Sequence, residues 1–169
     1  RNPARTPVSR KSKMRIVFYS SVDWDAALHF DGNTFSSQFD FVEFFIDQSK
    51  QFPDIEFVVR VHPAESTGFH PSFTKLDIFI NTLEPGPNVT VIPSNDKISS
   101  YELAESCDVA VVYNTKFGIG LTSMGIATIV AGESWIRGRG FSFDVNVRDD
   151  FISFLNTPEL LVMNKKMVA

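Results

Sequence analysis

The sequence lacks several features that mark common classes of protein. Its 169 residues include one cysteine, Cys107, so no internal disulfide can form and a reducing compartment is predicted. No apolar run approaches the roughly 20 residues of a membrane-spanning helix. The basic start is not followed by the apolar stretch of a signal peptide. A cytoplasmic location is therefore expected.

Three signatures of nucleotide and metal sites are also missing. No Gly-x-Gly-x-x-Gly follows the first predicted strand, which argues against a plain dinucleotide-binding Rossmann domain. No Walker sequence is present, which argues against a P-loop nucleotidase. The three histidines have no close spacing, so no metal site is predicted.

Charge is distributed unevenly along the chain. Residues 1–13 carry five of the 16 basic side chains and no acid, which leaves 11 basic against 20 acidic side chains elsewhere. Because nucleic acid is negatively charged, the acidic part of the chain after residue 13 would bind it poorly, and no nucleic-acid partner is expected. Two prolines mark residues 1–13 as a basic linker or tail. Peripheral association of this segment with the anionic inner face of a membrane is the alternative to a solvated linker.

Apolar segments that suit buried strands alternate with segments of helical periodicity. Strands are predicted at 15–20, 56–61, 88–92, 109–112 and 126–131. Helices are predicted at about 34–51, capped by Asn33 or Thr34, and at 72–83, 99–106, 116–125, 149–155 and from 158. The alternation predicts an α/β fold, with a doubly wound, mostly parallel five-stranded sheet in the order 3-2-1-4-5 and helices on both faces.

Polar residues follow the predicted strands at the edge where such folds bind ligands. These residues are Ser20, His62, Ser94, Asn114 and Glu133. The proline after His62 fixes its main chain, which favours a site residue over a structural histidine. Arg60, near the end of the same internal strand, needs an acid such as Glu65 or a bound anion. Asp23 and Asp25 follow the first strand and are interpreted either as metal or acid–base candidates or as helix caps.

The fourth predicted strand ends in the polar turn formed by Tyr113, Asn114 and Thr115. A helix that begins near Lys116 leaves its first amides unpaired, and a helix start of this kind is a seat for phosphate. Gly118 would let a ligand approach the main chain closely. The alternative is an ordinary βαβ unit without a ligand, since strand–turn–helix is common to all α/β folds.

Residues 133–144 are predicted to form a loop. The loop combines Arg137 and Arg139 with two glycines and three aromatic residues. Because guanidinium groups bind phosphate and carboxylate with paired donors, both arginines are candidate ligand-binding residues.

Several of these segments together resemble a known family. They are Arg-Val-His-Pro-Ala-Glu at 60–65, Tyr-Glu-Leu at 101–103, Ser-Cys-Asp-Val-Ala-Val-Val-Tyr-Asn-Thr at 106–115, Ile-Val-Ala-Gly at 129–132 and Arg-Gly-Arg-Gly-Phe at 137–141. In this order and spacing they resemble the bacterial capsule polysaccharide biosynthesis proteins, over roughly residues 15–156. The resemblance is to the carboxyl-terminal, donor-binding half of a Rossmann-like GT-B glycosyltransferase fold.

The resemblance implies a nucleotide-sugar donor, CMP- or UDP-linked, that binds at the strand ends without a metal or a further cofactor. His62 would contact the donor phosphate, and Asn114 and Thr115 would open the helix that faces it. Gly120 departs from the pattern, because such families usually carry a glutamate there that often holds the ribose; Glu133 is the candidate to replace it. The resemblance also implies an absent amino-terminal domain that binds the saccharide acceptor and supplies the general base.

Three hypotheses about function are open. In the first, residues 14–169 form a Rossmann-like nucleotide-sugar-binding domain, a fragment of a larger glycosyltransferase, inactive when isolated. In the second, the same pocket serves a sugar-nucleotide enzyme of GT-B-like fold, such as an epimerase. In the third, the chain is a GT-B-like module that binds a partner without catalysis. Gly120 favours the third hypothesis, whereas His62 and the arginines favour the first.

Overall fold

The computed structural model describes residues 14–22, 34–67, 74–159 and 161. The predicted linker at 1–13, the candidates Asp23 and Asp25, and the proposed cap Asn33 lie outside these residues. The described strands are β1 (Met14–Tyr19), β2 (Ile55–Arg60), β3 (Val89–Ile92), β4 (Val109–Val112), β5 (Ala127–Val130) and β6 (Phe143–Asp144). They form one sheet in the order β3-β2-β1-β4-β5-β6, and every adjacent pair is parallel.

The predicted doubly wound sheet and the order of its first five strands are confirmed, but the predicted number of strands is wrong. The sixth strand, β6, is formed by Phe143 and Asp144, which pair with Ile129 and Val130 of β5. These two residues lie in the segment predicted to be a loop. A strand of two residues is too short to show alternation, so its sequence carries no strand signal.

Helices cover both faces of the sheet, as predicted. The described helices are α1 (Gln38–Gln51), α2 (Ala64–Thr67), α3 (Leu76–Thr82), α4 (Ser100–Glu105), α5 (Phe117–Ser123) and α6 (Arg148–Asn156). Apolar side chains of α1, α3 and α6 pack in one core, and those of α4 and α5 pack in the other. Between the two cores, Ile16, Val17 and Phe18 of β1 are fully buried, as expected of a strand covered on both faces.

Helix α1 begins at Gln38, later than the predicted start at 34. Its N-cap is Ser37, whose hydroxyl accepts a hydrogen bond from the Asp40 amide at 3.1 Å. The hydroxyl of Thr34, a predicted cap, instead donates to the carbonyl of Val145 at 3.2 Å. Helix α1 packs aromatic side chains on the sheet. Phe41 of α1 is fully buried, and its ring centroid lies 5.0 Å from that of Phe18 in β1.

Helix α4 begins with a capping box formed by Ser99 and Glu102. The Ser99 hydroxyl accepts a hydrogen bond from the Tyr101 amide at 3.2 Å, and the Glu102 carboxylate accepts one from the Ser99 amide at 3.0 Å. This cap fixes the residue at which α4 begins, after the segment that follows β3. Across the described ranges, no helix has both the length and the apolar character needed to span a bilayer.

Candidate functional site

The carboxyl ends of β1 and β4 form the crevice at which the order of strands reverses. Tyr19, the last residue of β1, is in register with Arg60 of β2 on one side and with Val112 of β4 on the other. His62 and Asn114 each follow two residues later, so they flank the end of β1. Adjacent strands are about 4.8 Å apart, which places the two main chains about 10 Å from each other.

Ser20 positions His62 at this crevice. The Ser20 hydroxyl oxygen accepts a hydrogen bond of 2.8 Å from the His62 amide, and the Ser20 amide donates to the Arg60 carbonyl at 3.1 Å. Ser20 is only 3% exposed. Its role in the described structure is therefore to join the ends of β1 and β2.

The imidazole of His62 is held by its own turn. The Ala64 amide donates to Nδ1 at 3.1 Å, so Nδ1 is unprotonated and the ring hydrogen is at Nε2. This bond holds the neutral ring at the strand end, and the half-buried imidazole has Nε2–H as its donor.

Arg60 has partners that the sequence did not predict. Its guanidinium donates to the carbonyls of Pro93 at 2.5 Å, Ile98 at 3.1 Å and Asp96 at 3.5 Å. Burial lowers the pKa of Arg60, and the Asp96 carboxylate opposes that shift. The expectation of an acid such as Glu65 as its partner is therefore wrong for the described contacts. Arg60 holds the segment between β3 and α4.

The Glu65 carboxylate is directed to α3 rather than to Arg60. Its Oε2 accepts a hydrogen bond from the Leu76 amide at 3.4 Å, and the residue is 7% exposed. Ser94 follows β3, the edge strand, which lies two strand spacings from β1. Ser20, His62 and Ser94 are the predicted site residues at the ends of β1, β2 and β3. Of these three, Ser94 is the farthest from the crevice.

The side chain of Tyr113 belongs to the core and not to the crevice. Its hydroxyl donates to the Phe35 carbonyl at 3.0 Å, and its ring stacks on Phe41 in the core beside α1. Side chains alternate across a strand, so Tyr113 and Asn114 leave opposite faces of the sheet. The predicted ligand contact of the Tyr113 side chain is corrected accordingly.

Asn114 ties the ends of β4 and β5 together. Its Oδ1 accepts a hydrogen bond from the Glu133 amide at 2.9 Å. A Cβ on Gly132 would lie 2.6 Å from that same oxygen and 2.9 Å from the Tyr113 ring, so this close approach requires glycine. The side-chain oxygen of Asn114 is thus engaged within the protein.

Thr115 lies just before the N-cap Lys116 of α5, whose first turn is the predicted phosphate seat. Its Oγ1 accepts a hydrogen bond from the Phe117 amide at 3.2 Å, and its carbonyl accepts one from the Ser134 hydroxyl at 3.2 Å. The amides of Thr115 and Lys116 have no acceptor among the described residues. Lys116 is exposed, with its Nζ 5.8 Å from the centre of the Trp135 ring. Two amides and one ammonium group therefore remain available to an anion here.

Two glycines of α5 are close to protein atoms rather than facing an open ligand site. A Cβ on Gly118 would lie 3.1 Å from both Ser134 Oγ and the Ile136 side chain, so this glycine brings α5 against the following loop. The packing of Gly118 therefore does not support the prediction that it lets a ligand approach the main chain. A Cβ on Gly120 would meet the Tyr101 hydroxyl at 3.4 Å. Exposed Tyr101, which the sequence did not single out, thus occupies the space beside Gly120.

The two arginines of the 133–144 segment differ in their environment. Arg137 donates to the carbonyls of Gly132 at 3.1 Å and Val145 at 3.0 Å, and lies 3.5 Å from the Glu133 carboxylate. Arg137 therefore organises the connection between β5 and β6 and engages Glu133, the candidate for ribose binding. The exposed side chain of Arg139 makes one hydrogen bond to the described residues, to the Trp135 carbonyl at 2.9 Å. Of the two, Arg139 is the arginine that a ligand can reach.

No group of three metal-binding side chains occurs close together among the described residues. No model of a known protein family matches the chain, and no curated protein matches it in sequence. The similarity found is to solved structures, and it is a similarity of fold.

Two similar structures are KpsC proteins of Thermosulfurimonas dismutans. The β-Kdo 2,4 transferase is 19% identical with a TM-score of 0.57, over 88% of this chain and 42% of that one. The β-Kdo 2,7 transferase is 19% identical with a TM-score of 0.58, over 85% and 42%. The UDP-GlcNAc 2-epimerase of Neisseria meningitidis, bound to UDP-GlcNAc, is 13% identical with a TM-score of 0.57, over 90% and 38%. This chain spans less than half the length of each, and it has the Rossmann-like fold of one half of a GT-B protein.

Proposed function

We propose that the chain is the donor-binding half of a glycosyltransferase that makes capsule or other surface polysaccharide. The observation that carries the proposal is the position of His62: bonds with Ser20 and Ala64 fix its main chain and its ring beside the crevice. The likeness to two Kdo transferases supports the assignment. The substrate is a nucleotide sugar, CMP- or UDP-linked.

The donor phosphate would be bound from two sides of the crevice. On one side, the ring of His62 would contact it; on the other, the amides of Thr115 and Lys116 would donate from the main chain. Lys116 adds a positive charge. Donors that are already in place stabilise the negative charge that develops on the departing nucleotide, and this chemistry requires no metal. Ser20 is a positioning residue, since it acts through the main chain of His62.

The rest of the enzyme would lie outside residues 14–169. An amino-terminal GT-B domain binds the saccharide acceptor and supplies the general base. The isolated chain therefore binds nucleotide weakly and transfers no sugar. A cytoplasmic location, and contact of the basic residues 1–13 with the inner membrane face, remain parts of the same proposal.

Two alternatives each have a specific observation in their favour. The likeness to a UDP-GlcNAc 2-epimerase favours a sugar-nucleotide enzyme of GT-B-like fold. The tyrosine beside Gly120 favours a non-catalytic module, because Tyr101 fills space in which a longer side chain at 120 would lie. Epimerisation of UDP-GlcNAc by the full-length protein would identify the first alternative, and the absence of any nucleotide binding would identify the second.

Calorimetric titration with CMP, CDP and UDP tests the proposal. The parent chain is expected to bind at least one of them. Thr115→Ala is expected to weaken that binding by about 1 kcal/mol, since the hydroxyl that holds the Phe117 amide at the start of α5 is lost. Thr122→Ala is the matched control, because its hydroxyl bonds only to carbonyls of its own helix, at 3.0 Å and 3.1 Å. Equal affinities in all three proteins would put the phosphate elsewhere. Sugar transfer by the isolated chain would overturn the division into two halves.

A further inference from the structure

Two buried polar atoms near the crevice have no hydrogen-bond partner. They are the Tyr19 hydroxyl and the Arg60 Nε, on residues that are 3% and 2% exposed. The two residues are register partners on adjacent strands, so their side chains leave the same face of the sheet about 4.8 Å apart at the main chain. An unpaired buried donor is costly, which makes two neighbouring ones a candidate binding site.

The charge of Arg60 is only partly compensated. Its other guanidinium nitrogens donate to carbonyls of Pro93, Asp96 and Ile98, and no carboxylate of the described residues lies within ion-pair distance of it. Asp96 acts on Arg60 only at longer range, and its Oδ1 accepts a bond from the Ile98 amide. A buried cation in this state is stabilised by a further negative charge.

Tyr19 supplies a second donor and an apolar surrounding. Burial raises the pKa of Tyr19, with Cys107 adding to the shift and Arg60 opposing it, so the hydroxyl remains protonated at neutral pH. The Tyr19 ring packs edge-on against Phe117, with ring centroids 5.0 Å apart. Apolar side chains of Val58 and Val112 belong to the same core.

We propose that a small monovalent anion, chloride, binds between the Tyr19 hydroxyl and the Arg60 Nε. Both groups are donors, which a chloride ion accepts while it neutralises the guanidinium. A water molecule would also accept from both, but it would leave the charge of the guanidinium without a counter-ion. The chloride site uses neither His62 nor the amides of Thr115 and Lys116, so the proposal does not depend on the proposed phosphate site. Since Arg60 holds the segment that leads into α4, the ion stabilises the folded chain.

Thermal unfolding in sodium chloride and in sodium gluconate, at matched ionic strength, tests this site. The parent Tm is expected to rise by about 3–5 °C for each tenfold increase in chloride above its Kd, and not with gluconate. In Tyr19→Phe the chloride dependence is lost. In gluconate this variant is at least as stable as the parent, because the substitution removes an unpaired buried hydroxyl.

Tyr113→Phe is the control, because its hydroxyl has a partner in the Phe35 carbonyl. It is expected to lower Tm in both salts and to keep the dependence on chloride. Crystals soaked in bromide should show an anomalous peak between Tyr19 and Arg60. Equal Tm values of the parent in the two salts, an undiminished chloride effect in Tyr19→Phe, or a water without a bromide peak would each overturn the proposal.

Discussion

The main-chain amide of His62 donates a 2.8 Å hydrogen bond to the hydroxyl oxygen of Ser20, across the ends of β1 and β2. Together with the bond from the Ala64 amide to Nδ1, it fixes both the main chain and the ring of His62. Adding a proton at Nδ1 would break the second bond. The bond to Nδ1 therefore favours the neutral ring, in which the hydrogen is at Nε2.

We expect His62→Asn to weaken nucleotide binding by about 0.5–1.5 kcal/mol, the size of one hydrogen bond, throughout the range from about pH 6 to 8. Calorimetry with the same nucleotide in parent and variant measures this difference in binding free energy. Protonation of the nucleotide phosphate affects both proteins equally, so it does not contribute to the difference. If the difference instead grows toward pH 6, the ring binds as a cation, which is the behaviour of a titrating histidine.

Gly132→Ala is expected to lower the free energy of unfolding by about 1–3 kcal/mol, since its Cβ would overlap Asn114 Oδ1 at 2.6 Å and the Tyr113 ring at 2.9 Å. Urea denaturation measures the loss. Gly118→Ala is a graded comparison, because its closest contacts are 3.1 Å and are made with side chains, so it should lose less. Parental stability of Gly132→Ala would mean that the end of β4 repacks without cost.

Asp40 should make stability depend on pH. Burial alone would raise the pKa of Asp40, but hydrogen bonds from Ser36 and the ion pair with Arg148 at 2.7 Å hold it below its ordinary value. A carboxyl group whose folded pKa is lowered contributes stability above its unfolded pKa and loses that contribution as the pH falls through its folded pKa.

Asp40→Asn should therefore cost about 0.5–1 kcal/mol at neutral pH, the value for an exposed ion pair, and progressively less as the pH falls below about 4. Guanidinium denaturation of parent and variant at several pH values measures it. Asp47→Asn is the control: its pair with Lys50 lies within α1 and is exposed, and its loss should change stability by no more than about 0.5 kcal/mol. A difference that persists unchanged in acid would exclude the Asp40 carboxylate as its source.

Arg137→Lys is expected to destabilise the protein by about 1–3 kcal/mol, because an ammonium cannot reproduce donation to the carbonyls of Gly132 and Val145 at 3.1 Å and 3.0 Å. Arg139→Lys loses one exposed bond and should change stability by no more than about 0.5 kcal/mol. Thermal unfolding compares the two. If Arg137→Lys leaves Tm unchanged but weakens nucleotide binding, Arg137 is a ligand residue and not an organiser of its loop.

Patterns in the sequence were sufficient for most of the fold. Apolar runs such as 109–112 and their alternation with helices predict a parallel doubly wound sheet, because few topologies satisfy the rules of connection. The predicted start of α1 at about 34 is wrong, because several residues near 34–37 have side chains that can cap a helix. A contact distant in sequence, from Thr34 to Val145, engages one of them and leaves Ser37 as the cap.

The candidate site could be predicted less well, for a physical reason. The sequence shows which residues follow the strands, so it predicts that His62 and Asn114 lie at the carboxyl edge of the sheet. The positions of main-chain carbonyls are not visible, and these are what Arg60 and Arg137 bind. The unpaired hydroxyl of Tyr19 likewise has no signature, since it follows from the register of two strands.

The central position of β1 affects how the chain is made. β1 ends at residue 19 and pairs with β4, which begins at residue 109, so 90 residues must be synthesised before that pairing can form. At cellular rates of translation this interval lasts roughly 5–20 s. During it, the β4-facing edge of β1 has no strand to pair with, next to side chains such as Phe18 that the finished fold buries completely. The nascent chain is therefore at its greatest risk of aggregation, and has the greatest need of a chaperone, before β4 emerges from the ribosome.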